Sequence, residues 1–392
     1  MSQATRVAVL TAPGRSAVAV IAVEGPDAAA KVEQFFRRAR GPSLREQPLR
    51  RILYGWWGDE SGEDLVVCRR EENAVEIQCH GGGSSVSRIR DQLISAGCEA
   101  IGWQQWVSDR VVCPLEAEAQ VELSKACTLR TAKILLDQVH GALRRAIDEI
   151  LEKLRSGSGD AAAGLIAQLL AHAELGRHLT KPWQVVLSGL PNVGKSSLIN
   201  ALVGYQRAIV FDRPGTTRDV VTAQTAAEGW PLRLSDTAGL HETTDELEIA
   251  GIVRTRRQLE EADLVLWVLD CSQLDGGQRR ALLEAARRQV SQHGVGFDMS
   301  RMIVVANKID LVPDIESFDR DVVATCAVAN TGIDALLTQV ASRLVPCPPA
   351  RGAEVPFLER HATQLRKALS CCEDGLLAES KAILEGLLIA KG

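Results

Sequence analysis

Tyrosine occurs only twice in this 392-residue chain, methionine three times and phenylalanine six times. Even with seven tryptophans, aromatics reach only 4%, so the interior has to be built from Leu, Val, Ala and Ile. Basic charge is not in excess either. Lys+Arg 45 against Asp+Glu 50 leaves −5, so bulk charge does not draw the chain onto nucleic acid. No apolar run reaches the length of a membrane span, and residues 7–23 are interrupted by Pro13, Gly14 and Arg15. With a polar start at residues 1–5, this predicts neither a membrane span nor a signal peptide. None of the ten cysteines forms a C-x-x-C pair, which removes zinc-ribbon and thioredoxin readings. They read as reduced, mostly buried residues of a cytoplasmic protein. No internal repeat is present.

What is present is the composition of a folded protein, 46% hydrophobic and 24% charged, at a length that suggests two or three domains. Residues 1–115 mix strand signals (7–10, 18–23, 75–79) with a helical pattern at 87–96 and predict an α+β domain. Residues 116–180 are helical in period: Leu123, Ala126, Leu129, Ala132, Leu135 and Leu136 recur at spacings of three and four. Residues 181–347 alternate strands (185–187, 232–234, 264–269, 302–306, 322–325) with helices, which predicts a doubly wound parallel sheet. Pro346, Pro348 and Pro349 break the chain, and 348–392 is helical again. Each helical segment is too short for its own core, so the two are expected to pack as one domain into which the α/β domain is inserted.

The strongest motif is Gly189-Leu190-Pro191-Asn192-Val193-Gly194-Lys195-Ser196. It fits G-x-x-x-x-G-K-[ST] between a predicted strand and a predicted helix. Glycines let the backbone wrap a phosphate with its N–H groups inward. Lys195 reaches the β- and γ-phosphates, and the Ser196 hydroxyl is a magnesium ligand. Three more segments follow in order. Thr216-Thr217 supplies a switch threonine, Thr217, for magnesium. Asp236-Thr237-Ala238-Gly239 follows a strand, with Asp236 in the magnesium shell and the Gly239 N–H at the γ-phosphate. Asn307-Lys308-Ile309-Asp310 follows another, and Asp310 can accept from both guanine N1 and the exocyclic amine. Adenine lacks that donor pair, so the base is guanine. The candidate nucleotide-binding residues are therefore Asn192, Val193, Gly194, Lys195, Ser196, Ser197, Thr216, Thr217, Asp236, Thr237, Ala238, Gly239, Asn307, Lys308 and Asp310. Cys326-Ala327 is a weaker base-contacting candidate.

Residues 189–310 resemble the MnmE (TrmE) tRNA-modification GTPase family. The likeness rests on the phosphate loop continued through Ser197-Leu198-Ile199-Asn200-Ala201-Leu202, on Arg213-Pro214-Gly215-Thr216-Thr217-Arg218-Asp219, and on the run from Asp236 through Glu248 to Gly251. Thinner echoes are Thr11-Ala12-Pro13-Gly14-Arg15 and Cys79-His80-Gly81-Gly82, similar to that family's folate-binding domain. The resemblance implies GTP and GDP with Mg²⁺, and a K⁺ ion held by Asn192 together with carbonyls of residues 211–216. It also implies a homodimer, a flavoprotein partner, and modification of the wobble uridine of tRNA. Leu240 stands where small GTPases carry a water-orienting glutamine, and the resemblance assigns that catalytic task to Glu248 beside Lys195. The plain alternatives are a turn residue for Asn192 and an acidic helix start for Glu248.

The chain also departs from the family. Glu76 matches the pocket glutamate, but Ala22 stands for an arginine and Val111 falls at the pocket lysine. Losing two cations weakens any hold on a polyanionic folate tail. His80 reads as a pocket residue or a structural one. The family's cysteine motif is absent from 387–392, and Cys371 and Cys372 lie upstream in a helical pattern. The alternative function is thus a regulatory or assembly GTPase switch that has left the folate-dependent chemistry. Arg37, Arg38, Arg40, Arg45, Arg50 and Arg51 form a local basic cluster, readable as an RNA contact or as a solvated face.

Overall fold

The computed structural model describes residues 4–14, 16–38, 41–58, 62–205, 222–236, 257–273, 282–292, 298–312 and 322–389. It divides into two compact units, Met1–Val112 and Cys113–Gly392. No described helix is long and apolar enough to cross a membrane.

The first unit is a seven-stranded sheet in the order β3-β4-β5-β6-β2-β1-β7. Its strands are β1 (Arg6–Val9), β2 (Val18–Glu24), β3 (Phe36–Arg38), β4 (Ile52–Trp57), β5 (Glu63–Glu71), β6 (Ala74–His80) and β7 (Glu99–Ala100). Helices α1 (Ala28–Glu33), α2 (Gly83–Ser95) and α3 (Trp103–Ser108) accompany it. Alternation decides which face is covered. Ile21, Val23, Leu53, Trp57, Leu65, Val67, Val75 and Ile77 point into a core closed by Val32 of α1 and by Ile89 and Leu93 of α2. On the opposite face, Tyr54 lies across from Val66, Val66 from Gln78, and Gln78 from Val20. β3, β4 and β5 escaped the sequence reading. β3 has only three residues and β5 is loaded with charge, while the run Ile52–Trp57 of β4 is apolar on both faces, so no apolar–polar alternation marks any of them.

The second unit opens with helices α4 (Pro114–Leu123), α5 (Leu129–Val139), α6 (Ala142–Arg155), α7 (Gly159–Ala171) and α8 (Ala173–Arg177). Pro114 starts α4 at the position where its missing N–H costs nothing. Thr128 caps α5 by accepting from the Thr131 N–H. Leu143, Ile147, Ile150, Leu151 and Leu154 form the buried stripe of α6.

The chain then builds a six-stranded sheet from β8 (Trp183–Ser188), β9 (Thr222–Ala227), β10 (Trp230–Asp236), β11 (Leu264–Asp270), β12 (Met302–Asn307) and β13 (Val322–Ala324), in the order β13-β12-β11-β8-β10-β9. Helices α9 (Lys195–Tyr205), α10 (Leu282–Gln292) and α11 (Ile333–Leu344) go with it. Every residue of β11 and β12 is buried, as expected for central parallel strands covered on both faces. The sheet is not wholly parallel. β9 pairs antiparallel with β10 through a tight turn at Glu228 and Gly229, both at positive φ. Thr-Ala-Gln-Thr-Ala-Ala carries too few large apolar residues to announce itself as a strand.

Helices α12 (Glu359–Glu373) and α13 (Leu377–Leu388) return to the first helices. Leu365, Ala368, Leu384 and Leu387 join the core that includes Leu143, Ile147 and Ile166. Buried Gln138 stitches the return. Its amide donates to the Ala353 carbonyl at 2.9 Å and accepts from the Val355 N–H at 3.2 Å. The α/β domain is thus inserted in a helical domain. Cys372 is buried in α12, with Sγ 3.2 Å from the Ser380 hydroxyl, and Cys371 is half-buried beside it.

Candidate functional site

The tips of neighbouring parallel strands converge at one end of the second sheet. The phosphate loop links β8 to α9. It needs left-handed backbone at Gly189 (φ 141°), Asn192 (φ 62°) and Gly194 (φ 97°). A Cβ on Gly194 would run into the Asn307 amide, and one on Gly189 into the Val268 carbonyl, so both positions require glycine. Lys195 is buried, with Nζ donating to the carbonyls of Gly189 at 3.0 Å and Leu190 at 2.9 Å. Burial lowers its pKa, partly countered by the charge of Asp236. The Ser196 hydroxyl donates to Asp236 Oδ2 at 2.8 Å. A hydroxyl and a carboxylate oxygen meeting at the mouth of the loop are the hard ligands a hydrated Mg²⁺ takes.

The tip of β12 holds the phosphate loop in shape. Asn307 Nδ2 donates to the Val193 carbonyl at 2.9 Å, while its Oδ1 accepts from Thr325 Oγ1 at 3.2 Å and from the Ala327 N–H at 3.4 Å. Lys308, itself left-handed at φ 61°, donates to the Asn192 carbonyl at 2.8 Å and to Asp270 Oδ2 at 2.7 Å. In a trans peptide the C=O and the next N–H point opposite ways. Pulling back the carbonyls of Asn192 and Val193 therefore turns the Val193 and Gly194 N–H groups the other way, as a phosphate cradle needs. Asp310 is exposed in the turn Ile309–Leu311. A cavity of about 600 Å³, within the usual range of ligand sites, is lined by Ser197, Asn200, Ala201 and Gly204 of α9 and by Ala327 and Asn330 after β13.

The structure thus brings together Asn192, Val193, Gly194, Lys195, Ser196, Ser197, Asp236, Asn307, Lys308 and Asp310. Thr216, Thr217, Thr237, Ala238, Gly239 and Glu248 lie outside the described residues. Sequence reading missed Asp270, an acid at the end of an apolar strand, because no motif flags it.

In the first unit, Glu76 lines a cavity of about 180 Å³ with Ala22, Glu24, Arg70, Glu71, Trp106 and Arg110. Ala22 and Val111 do not leave the pocket without cations, since Arg70 and Arg110 stand in it. Both are already engaged. Arg70 Nε is 3.5 Å from Glu76, and Arg110 bonds Glu24 at 3.2 Å and Glu71 at 3.1 Å. Glu76 also accepts from Gln78 at 2.6 Å. Three carboxylates against two guanidiniums, in a space below the usual ligand-site range, do not fit the anionic tail of a folate. His80 is exposed, 3.4 Å from Glu63, and does not line this cavity. In the arginine cluster, Arg38 is tied to the Pro42 carbonyl and Arg45 pairs with Glu33, while Arg37, Arg50 and Arg51 are exposed. Arg40 lies outside the described residues.

A glycine-bounded loop around a buried lysine, a hydroxyl–carboxylate oxygen pair and an Asn-Lys-Ile-Asp turn, gathered at one end of the sheet, are the arrangement of a P-loop GTPase. The family models and the curated relatives agree. Residues 184–308 match the family described as 50S ribosome-binding GTPase, and residues 5–101 match the GTP-binding protein TrmE N-terminus. The tRNA modification GTPase MnmE of Moorella thermoacetica is 32% identical, over 98% of this chain and 90% of that protein. The MnmE of Symbiobacterium thermophilum is 33% identical, over 98% and 93%. Among solved structures, the G domain of the T. maritima FeoB iron transporter is 26% identical over 42% of this chain and 97% of that one, with a TM-score of 0.27. The chain belongs to the MnmE family of tRNA modification GTPases. It binds GTP and GDP with Mg²⁺ and hydrolyses GTP.

Proposed function

We propose that this chain couples GTP hydrolysis to modification of the wobble uridine of tRNA in the cytoplasm, together with a flavoprotein partner. Its working parts are residues 1–115, the helical segments 116–180 and 348–392, and the GTPase segment 181–347. The observation that carries the reading is the end-to-end likeness to MnmE proteins combined with the converging Ser196–Asp236 and Asn307–Val193 contacts. Lys195 holds the phosphates, Ser196 and Thr217 take Mg²⁺, Asp310 reads guanine and Glu248 orients the attacking water. Mg²⁺, when bound, neutralises charge developing on the phosphate oxygens. Asn192 holds K⁺, which supplies the charge that an arginine finger supplies elsewhere.

The chain works as a homodimer. The outer face of the first sheet carries exposed Val18, Ile52 and Tyr54 (52%, 70% and 53%), side chains that pairing with a second copy would cover. A second reading has one observation in its favour. The small cavity at Glu76, with its arginines already paired, suits a GTPase switch acting without folate. Mass analysis of wobble uridines in tRNA from cells with and without this gene tests the choice. Loss of the modification on deletion is expected; an unchanged wobble base, with no second copy of the gene in the cell, rejects the tRNA role.

A further inference from the structure

Asp270 is the last residue of β11, and its side chain is only 2% exposed. A carboxylate taken out of water has to be paired, and this one is paired on both oxygens. Oδ1 accepts from the Ser272 N–H at 2.9 Å and the Ser272 hydroxyl at 2.6 Å, and Oδ2 accepts from Lys308 Nζ at 2.7 Å. Burial alone would raise its pKa, but the bonds from Lys308 and Ser272 overcome that and hold the acid below its ordinary range. The same Lys308 ammonium donates to the Asn192 carbonyl at 2.8 Å. β8, β11 and β12 are neighbours in the sheet, so the chain of contacts Asp270–Lys308–Asn192 runs across three adjacent strand tips.

Two of its three members sit in left-handed backbone, Asn192 at φ 62° and Lys308 at φ 61°. Such a residue persists where its surroundings over-determine it. Lysine is long and rotamer-rich, and an ammonium with a single carbonyl partner would sample other directions. The buried carboxylate removes that freedom.

We infer that Asp270 is a positioning residue of the nucleotide site: it fixes Lys308, which holds back the Asn192 carbonyl and thereby aims the Val193 N–H into the phosphate cradle. Asp270 touches no phosphate itself. A contact of this kind acts on the phosphates shared by GDP and GTP, so its loss weakens ground state and transition state alike. Nucleotide binding at residues 189–196 is all it requires; neither tRNA nor potassium enters.

The test is titration of the full chain with GDP and GTP, together with steady-state hydrolysis. Asp270→Asn keeps the size and the Ser272 contacts but removes the charge. Affinity for both nucleotides should fall about tenfold, the scale of one lost hydrogen bond, with KM raised and kcat within about twofold. On a Lys308→Met background, Asp270→Asn should bring no further loss of affinity. The double variant has no unpaired buried charge, so it should melt near the wild type even if Asp270→Asn alone fails to fold, and should still bind GDP at least about tenfold more weakly. Wild-type affinity in a folded Asp270→Asn, losses that simply add on the Lys308→Met background, or normal GDP binding by the double variant would overturn the inference. Lys195→Ala separates the two levels. If it binds nucleotide normally, the loop is not the site at all; if it does not bind and Asp270→Asn is normal, only the role of Asp270 falls.

Discussion

Asn307 Nδ2 reaches the Val193 carbonyl at 2.9 Å across 114 positions of sequence, joining the tip of β12 to the phosphate loop. Asn307 is 1% exposed and also accepts from the buried Thr325 hydroxyl. Asn307→Ala strands two buried partners, at about 1–3 kcal/mol each. The expected result is a lower melting temperature and GDP affinity reduced at least about tenfold, measured by thermal unfolding and calorimetry. An alanine variant that binds GDP normally would show that the loop keeps its shape without the tie.

Asp310 sits exposed at the same strand end, where a carboxylate can accept the guanine donor pair. Asp310→Asn exchanges an acceptor for a donor, so preference should pass from guanosine to xanthosine nucleotides. A mismatch at a base-reading hydrogen bond costs orders of magnitude where the site is built around it. Competition binding with GDP, XDP and ADP measures it, and equal wild-type binding of ADP and GDP would remove the guanine assignment.

Hydrolysis should run at least about tenfold faster in potassium than in sodium: Asn192 and its loop are proposed to hold the larger ion, and only a held cation adds positive charge at the transition state. Asn192→Ala should erase the difference. Glu248→Ala should lower kcat while leaving GTP affinity nearly intact. A rate indifferent to the cation refutes the first expectation, and a matching loss of affinity would give Glu248 a structural role.

His361 on α12 is fully buried, with Nε2 2.9 Å from Glu118 Oε2 on α4 and Nδ1 facing the Leu358 N–H. Burial lowers its pKa, and Glu118 only partly offsets this. The unfolded chain therefore takes up a proton first, and stability falls as pH drops below about 6.5 toward the depressed folded value. Glu118 is pushed up by burial but held below its ordinary range by His361 and Arg360, so its contribution is lost at still lower pH. His361→Gln keeps a donor toward Glu118 and does not titrate. Melting temperature followed from pH 7.5 to 5 should fall less steeply in the variant; identical slopes would place the acid sensitivity elsewhere.

The sequence by itself determined the GTPase motifs and the family. The phosphate loop, Asp236 to Gly239 and Asn307 to Asp310 are contiguous runs of fixed residue types, so a local pattern is enough to find them. The hydrophobic period likewise marked β8, β10, β11 and β12, strands buried in apolar runs. Only the tertiary structure decided that Asp270 faces Lys308, that Asn307 shapes the phosphate loop, that Arg70 and Arg110 stand beside Glu76, and that β9 runs antiparallel. Each of these joins residues far apart in the chain, or rests on a polar strand with no period of its own. Sheet order brings such partners together, and a local pattern carries no information about which strand tips become neighbours.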